Sequence, residues 1–287
     1  MDYEFRNDLK CIREILGITQ SQLASQIGVQ QATISRNEMA VTGFSPELLK
    51  KVYNYAFQSG VRLGRVKEML YKEELSEGAV LLCHGSKDVI KGDININVSR
   101  RNNDFGQGFY AGETYMQSVL FVSGFENSNL YFLEFKPDGL TSKEYSVDLE
   151  WMMTIAYFRG NLTDYEEHPY VRYLAEECLS KDYIIAPIAD NRMFSIINSF
   201  VNGDITDEQA SHCLAATNLG KQYVFKSERA LSHLKILEKT YISEKEKEYY
   251  TKERIKENSL GENKVKMARI KYRGRGKYID ELLDRTE

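Results

Sequence analysis

The stretch ITQSQLASQIGVQQATISRNE, residues 18–38, decides how the first part of the chain folds. Thr19 stands directly before a run of periodic apolar residues, and Gln22 follows three residues later. A hydroxyl and an amide at this spacing satisfy two orphan backbone donors at the start of a helix. Gly28 then permits a sharp turn, because glycine adopts left-handed backbone conformations at little cost. The stretch therefore predicts two short helices separated by a tight turn.

Helices are predicted on both sides of this turn. Steps of three and four residues place four apolar side chains on one stripe of a first helix: Phe5, Leu9, Ile12 and Leu16. A third helix is predicted from about residue 30 to 38, with Ala32 and Ile34 turned inward. A fourth amphipathic helix, from Pro46 to about Phe57, would close the bundle.

The outward face of the third helix carries side chains suited to DNA. Glutamine can pair bidentately with adenine, threonine can touch a thymine methyl group, and arginine can hold a phosphate. The predicted DNA-binding residues are Gln20, Gln30, Gln31, Thr33 and Arg36. Residues 18–38 resemble the phage-repressor type of helix-turn-helix found in bacterial regulators and antitoxins. The resemblance covers about the first 60 residues and implies a homodimer that binds DNA. The alternative is a helical bundle used only for dimerisation or protein contact.

Charge and composition exclude several classes of protein. Residues 1–77 hold 10 basic and 10 acidic side chains, residues 78–262 hold 20 and 28, and residues 263–287 hold 8 and 4. The sequence contains no run of 18 apolar residues, so no membrane span is predicted. The polar start MDYEFRNDLK is unlike a secretory signal. The four cysteines are scattered singly, which argues against a zinc site or a disulfide framework. The sequence therefore predicts a cytoplasmic protein with no metal and no membrane partner.

The pattern changes after Gly78. A short apolar run from Ala79 to Cys83 predicts a buried strand, and His84-Gly85-Ser86 follow at its end. The next motif, DFGQGFY at 104–110, has glycines on both sides of its glutamine that allow close backbone approach. Thr114 is predicted to cap a helix that carries Ser118 and Phe121. Strands are predicted at 130–135, 183–188 and 221–225, and helices at 146–158, 192–201, 206–215 and through Leu231 and Leu234.

These motifs, in this order, are similar to the NAD pocket of poly-ADP-ribose polymerases and diphtheria-toxin-like transferases. A closer similarity is to a bacterial family of predicted ADP-ribosyltransferases, over residues 81–237. The resemblance implies an α+β domain around a split, mixed β-sheet, next to the all-α helix-turn-helix domain. NAD would be its substrate.

The resemblance also implies an NAD-binding set: His84, Gly85, Ser86, Phe105, Gly106, Tyr110, Ser118 and Phe121. Tyr110 and Phe121 would sandwich the nicotinamide ring, since a flat cationic ring is held well between aromatic faces. The backbone of Gly85 would grip the carboxamide, Ser118 would give it a hydroxyl, and His84 would bind a ribose hydroxyl.

The sequence departs from that family at one predicted catalytic residue. His84, Tyr110 and Gln222 are the predicted catalytic set, and the family has Glu where Gln222 stands. An amide can hold a ribose hydroxyl but cannot act as a base. Three explanations are open: the acceptor is nucleophilic enough alone, Glu228 or Asp190 assists, or the domain binds NAD without turnover.

Each motif also has a structural interpretation. His84 would be a satisfied structural histidine, FGQGFY an ordinary turn, Phe121 a core residue and Gln222 a plain strand residue. Asp190 would cap the helix that begins near Arg192.

The last part of the chain is strongly charged. Residues 241–262 alternate Glu and Lys, which predicts a solvated helix. Residues 263–278 mix lysines and arginines with Tyr272, Tyr278 and two glycines, a composition that suits nucleic acid. A tail that docks on the acidic body is the alternative. The predicted domains are 1–65 (helix-turn-helix), 66–77 (linker), 78–240 (ADP-ribosyltransferase-like) and 241–287 (helical extension and basic tail).

Together these features predict an NAD-dependent ADP-ribosyltransferase with a protein or nucleic-acid acceptor. A repressor-like domain joined to such an enzyme suggests a toxin–antitoxin or phage-defence component with an antitoxin partner. One rival is an inactive transcription regulator that senses NAD or ADP-ribose. The other is an NAD glycohydrolase, which would release nicotinamide without modifying any macromolecule.

Overall fold

A computed structural model describes residues 4–39, 44–216 and 220–283. Within it the chain divides into two compact units. The first unit comprises Met1–Val89, Thr114–Lys136 and Lys235–Arg254, and the second comprises Ile90–Glu113, Pro137–Leu234 and Ile255–Glu287. Both units are therefore assembled from separate segments of the chain.

The described residues begin with five helices: α1 (Phe5–Leu16), α2 (Gln20–Ile27), α3 (Gln31–Glu38), α4 (Pro46–Gln58) and α5 (Leu63–Glu74). Seven strands of mixed direction follow within the described residues: β1 (Val80–Ser86), β2 (Phe109–Gly112), β3 (Asn129–Phe135), β4 (Ser142–Glu144), β5 (Tyr183–Pro187), β6 (Lys221–Phe225) and β7 (Leu234–Thr240). The remaining helices are α6 (Tyr115–Val122), α7 (Leu149–Phe158), α8 (Pro169–Leu179), α9 (Asn191–Val201), α10 (Asp207–Ala215), α11 (Glu228–Leu231), α12 (Glu244–Lys271) and α13 (Ile279–Leu282).

The first helices have the ends that their sequence predicts. Gly17 and Gly28 adopt the left-handed conformation after α1 and α2, with φ of 64° and 66°. The Thr19 hydroxyl accepts a hydrogen bond from the Gln22 amide at 3.2 Å, and Gln22 Oε1 accepts one from the Thr19 amide at 2.7 Å. This reciprocal capping confirms the predicted start of α2. The helices share one apolar core: Phe5, Leu9, Ile12, Leu23, Ala24, Ile27, Ile34, Leu48, Leu49, Val52 and Tyr53 among others.

A second core in the first unit lies between strands and α6. The strands of this unit run in the order β1-β3-β7, and β1 pairs antiparallel with β3, so that His84 lies opposite Tyr131. Thr114 caps α6 as predicted, with its amide donating to Gln117 Oε1 at 3.0 Å. Val119 and Val122 of α6 are completely buried in this core. The end of β1, which carries the predicted NAD-binding residues, is thus packed against α6.

The second unit holds four strands in the order β4-β5-β6-β2. β4 and β5 are parallel, whereas β5–β6 and β6–β2 are antiparallel. Trp151 of α7 is completely buried in the core of this unit, together with Phe105. The motif DFGQGFY therefore leads from a buried aromatic ring directly into β2.

The described residues that follow α12 pack within the second unit. Ile279 and Leu283 are 2% and 1% exposed and belong to the core of that unit. The Tyr272 ring stacks on His212 of α10 with 3.5 Å between centroids. The Lys277 amide donates to Asp207 Oδ1 at 2.7 Å. Of the two interpretations of residues 263–278, docking therefore applies to the part that follows α12.

Two local predictions were wrong. Ala32 is exposed, because Ile34 and Asn37 occupy the inner face of α3. The helix predicted through Leu234 ends at Leu231, and Leu234 begins β7. The stretch 66–77 predicted as a linker coincides largely with α5, and the predicted domain limits stay a prediction.

None of the helices in the described ranges is long and apolar enough to cross a membrane.

Candidate functional site

The predicted DNA-binding residues lie on one part of the helix-turn-helix. Gln31 and Arg36 of α3 and the preceding Gln30 are exposed, whereas Thr33 of α3 and Gln20 of α2 are half-buried. Exposed amide and guanidinium groups on a helix of this kind have the chemistry that reads bases and holds phosphates.

A chain of hydrogen bonds fixes two of these glutamines. Gln31 Nε2 donates to Gln20 Oε1 at 2.7 Å, and Gln20 Nε2 donates to Glu38 Oε2 at 2.7 Å. Arg13 donates to both oxygens of Glu38, at 2.6 and 3.1 Å. Burial acts to raise the pKa of Glu38, but these donated hydrogen bonds outweigh it and the pKa is lowered. The first amide of α3 is therefore preorganised through a carboxylate that stays ionised.

Arg13 and Glu38 have no motif that marks them in the sequence. They are separated by 25 residues and meet only because α1 packs against α3. Sequence reasoning identified the outward side chains of the helix-turn-helix but not this supporting pair.

In the first unit, the predicted NAD-binding motif His84-Gly85-Ser86 forms the half-buried end of β1. The His84 ring lies 6.2 Å from the Tyr131 ring across the β1–β3 pair. The Ser86 hydroxyl accepts a hydrogen bond from the Asp88 amide at 3.1 Å, which closes a turn after the strand.

Helix α6 brings Ser118 and Phe121 close to Gly85. A Cβ placed on Gly85 would lie 2.9 Å from the Ser118 carbonyl oxygen and 2.7 Å from Val122 Cγ1. The Ser118 hydroxyl is buried and donates to the Cys83 carbonyl at 2.8 Å, so only its lone pairs remain for a ligand. Phe121 is 61% exposed, which excludes its interpretation as a core residue.

In the second unit, the DFGQGFY motif folds into a tight turn closed by its own tyrosine. The Tyr110 hydroxyl donates to the Gly106 carbonyl at 2.6 Å and accepts from the Phe105 amide at 3.2 Å. Burial raises the pKa of Tyr110 well above its ordinary range, so this hydroxyl keeps its proton. Gly106 has φ of +71°, and a Cβ there would lie 2.8 Å from Phe158 Cδ1. The turn requires glycine on both conformational and steric grounds.

Gln222 lies on β6, is 8% exposed, and faces an acidic side chain. Its Nε2 donates to Asp104 Oδ2 at 3.1 Å and to the Pro187 carbonyl at 3.3 Å. Asp104 is 7% exposed, and its Oδ1 accepts from Arg159 at 2.7 Å. The sequence pattern did not mark Asp104 and Arg159 as site residues, although Asp104 is the first residue of the DFGQGFY motif.

The two acids considered as substitutes for the missing glutamate lie in different surroundings. Asp190 caps α9, because its Oδ1 accepts from the amides of Arg192 and Met193 at 3.0 Å each. Its Oδ2 pairs with the Arg192 side chain at 2.6 Å. Glu228 is exposed in the first turn of α11. The helix-cap interpretation of Asp190 thus describes its contacts.

The structure therefore groups the predicted NAD-site residues by unit. His84, Gly85, Ser86, Ser118 and Phe121 belong to the first unit, and Phe105, Gly106, Tyr110 and Gln222 belong to the second.

Comparison with known proteins identifies two regions of the chain. Residues 9–54 match a helix-turn-helix family, which confirms the DNA-binding helix-turn-helix predicted at this end. No curated protein and no solved structure matches the chain. The second match, over residues 80–236, covers more than half of the chain, so the protein belongs to the family described as "Protein of unknown function (DUF3990)".

Proposed function

We propose that the chain is an NAD-dependent ADP-ribosyltransferase joined to its DNA-binding helix-turn-helix domain. The observation that carries the proposal is the environment of Gln222. Its Nε2 is committed to Asp104 and Pro187, and its Oε1 accepts no hydrogen bond from any described residue. The amide oxygen of a largely buried side chain, held in this way, is an acceptor suited to a sugar hydroxyl.

The proposed reaction breaks the bond between the nicotinamide nitrogen and ribose C1. The bonding electron pair leaves with nicotinamide, and positive charge develops on the sugar as in glycoside hydrolysis. A lone pair of the acceptor then bonds to C1, and the acceptor loses a proton to solvent or to a neighbouring base. Polar groups fixed around the ribose favour this transition state, because they need no reorganisation during the reaction.

Each unit, considered by itself, has features that suit the binding of a nucleotide. In the second unit, the hydroxyl of Tyr110 is held by its own turn, which fixes the position of the aromatic ring. In the first unit, the exposed Phe121 offers a face on which a flat cationic ring can stack. Gly85 leaves the backbone at the end of β1 without a side chain, although its packing against α6 also requires glycine.

The test of this proposal is release of nicotinamide from NAD by the purified full chain. Phe121→Ala should reduce kcat/KM about tenfold or more, since it removes one stacking face from a ligand without opening a core. Tyr173→Ala is the matched control, because Tyr173 is also an exposed aromatic, at 51%. Equal losses in both variants, or no nicotinamide release by the wild type, would refute the proposal.

A second candidate, an inactive NAD sensor that regulates transcription, is favoured by one observation. Position 222 carries an amide where a transferase of the resembling family has a carboxylate, and an amide binds hydroxyls without acting as a base. Calorimetric binding of NAD by a wild type that releases no nicotinamide, with a change in operator affinity, would select the sensor.

A further inference from the structure

The chemical surroundings of Gln222 explain why an amide stands at this position. The end of the side chain that faces Asp104 Oδ2 and the Pro187 carbonyl meets two hydrogen-bond acceptors. Neither of these groups donates a hydrogen bond, so this end of the amide must be the NH2 group. The oxygen end therefore points away from both partners.

A carboxylate at position 222 would meet a different balance of charge. Asp104 is already ionically paired with one arginine, since Arg159 NH2 lies 2.7 Å from its Oδ1. The Arg159 guanidinium also stacks on Phe194, 3.7 Å from the ring centroid. One buried carboxylate and one cation thus balance. A second carboxylate in contact with Asp104 would compete with it for the same arginine, and two carboxylates that share a site cannot both ionise readily.

We infer that Asp104 is a positioning residue that determines both the identity and the orientation of the side chain at 222. Its carboxylate accepts a hydrogen bond from the Gln222 NH2 group and so leaves Gln222 Oε1 facing outward as an acceptor. The same carboxylate disfavours a glutamate at position 222. The acidic group of the site is thereby moved from β6 to the residue before the glycine turn. That Oε1 receives a ribose hydroxyl rests on the proposed function, whereas the pairing of Asp104 with Gln222 does not.

The pairing is tested by a double-variant cycle on the full chain, read as the midpoint of urea unfolding. Gln222→Glu should lower the midpoint. Adding Asp104→Asn should restore most of it, because the asparagine amide can donate to the carboxylate introduced at position 222 and the charge of the cluster is again neutral.

The control for this cycle is Gln209→Glu, since Gln209 is 5% exposed in the same unit and donates to the Arg269 carbonyl. Asp104→Asn should not rescue that variant. Additive effects of Gln222→Glu and Asp104→Asn would overturn the inference, because independent sites show no coupling in such a cycle.

The catalytic part of the inference is tested by nicotinamide release from NAD. Asp104→Asn should lower kcat on the order of tenfold with a smaller change in KM. The reason is that a Gln222 amide no longer held by the Asp104 carboxylate would spend time in unproductive orientations. The double variant should recover kcat relative to either single variant. An unchanged kcat in Asp104→Asn would refute the positioning role while the proposed function stands. A wild type without activity would refute the proposed function, and the unfolding cycle would still decide the pairing.

Discussion

Arg36 and Gln31 are exposed side chains of α3, and they are expected to contact DNA in different ways. A guanidinium contacts phosphates of any sequence, whereas a bidentate amide distinguishes one base edge. The amide of Gln31 is held by Gln20, and no comparable hydrogen bond from the described residues holds Arg36 in place. The contributions of the two side chains to DNA binding can therefore be distinguished by measuring the affinity at different salt concentrations and for different base sequences.

We expect Arg36→Ala to weaken binding equally for all duplexes and to reduce the slope of log affinity against log salt by about 1. Gln31→Ala should instead cost about 1–3 kcal/mol of discrimination at one base pair. Titrations of an operator duplex and of single-base variants, at several salt concentrations, measure both effects. Lys10→Ala is the charge control, since Lys10 is an exposed cation of α1. A sequence-selective loss in Arg36→Ala would contradict this assignment.

At the scale of elements, a buried ionic cluster joins α1, α5 and β7 within the first unit. Lys67 Nζ lies 2.6 Å from the carboxylate of Asp8 and also contacts Glu238. Tyr53 donates to Asp8, and Tyr71 donates to Glu238 at 2.8 Å. All three charged residues are less than 10% exposed. The helix-turn-helix is therefore packed into a larger unit that includes chain from far along the sequence.

Lys67→Ala should lower the free energy of unfolding by about 3–5 kcal/mol, because it leaves two buried carboxylates without a counter-ion. Lys72→Ala, which removes a half-exposed cation paired with Glu68 on the same helix, should cost under about 1 kcal/mol. Urea unfolding of both variants gives the comparison. A similar small loss for the two lysines would show that the cluster contributes little.

Glu246 gives the same unit a dependence on pH. Burial raises the pKa of this carboxyl from an ordinary value of 4.5 to about 7, although the Tyr115 hydroxyl donates to it at 2.7 Å. A folded-state pKa above the unfolded value means that the folded protein binds the proton more tightly. Glu246 therefore contributes roughly 3 kcal/mol to the free energy of unfolding below about pH 4.5, and this contribution is lost as the pH rises through about 7.

Glu246→Gln should therefore make unfolding less dependent on pH between about 5 and about 8 and should stabilise the protein at about pH 8, by up to roughly 3 kcal/mol. The glutamine oxygen can still accept the Tyr115 hydrogen bond. Thermal unfolding at the two pH values measures the change, and Glu257→Gln, an exposed position of α12, serves as control. An unchanged pH dependence in Glu246→Gln would contradict the expected role of this carboxyl.

Patterns of neighbouring residues predicted most of the helices and strands. They did not predict the contacts between residues that are far apart in the sequence. Thr19, Gly28 and Thr114 mark helix boundaries because their chemistry acts within a few residues of the chain. The contact of Gln222 with Asp104 spans 118 residues, and that of Lys67 with Glu238 spans 171. No periodicity encodes such pairs, since they depend on how strands and helices assemble. Leu234 lies in β7 although the local pattern predicted a helix, because strand pairing overrides such a pattern.

At the scale of the whole molecule, charge is partitioned along the chain. The first 77 residues carry equal numbers of acidic and basic side chains, so the helix-turn-helix region has little excess charge for phosphates. Part of the basic C-terminal segment is held within the second unit, where the Lys277 backbone amide and the Tyr272 ring contact α10. Base-specific contacts, more than bulk charge, are then expected to set where the protein binds DNA.

The proposed transfer is measured by following the ADP-ribose group itself. Full-length protein is incubated with cell extract and NAD labelled in the adenylate phosphate, and protein and nucleic acid are then separated. We expect label in one of the two fractions with the wild type and with Tyr173→Ala, and much less with Phe121→Ala. Nicotinamide release without label in either fraction would identify a glycohydrolase. The absence of both label and released nicotinamide would contradict an enzymatic function for this chain.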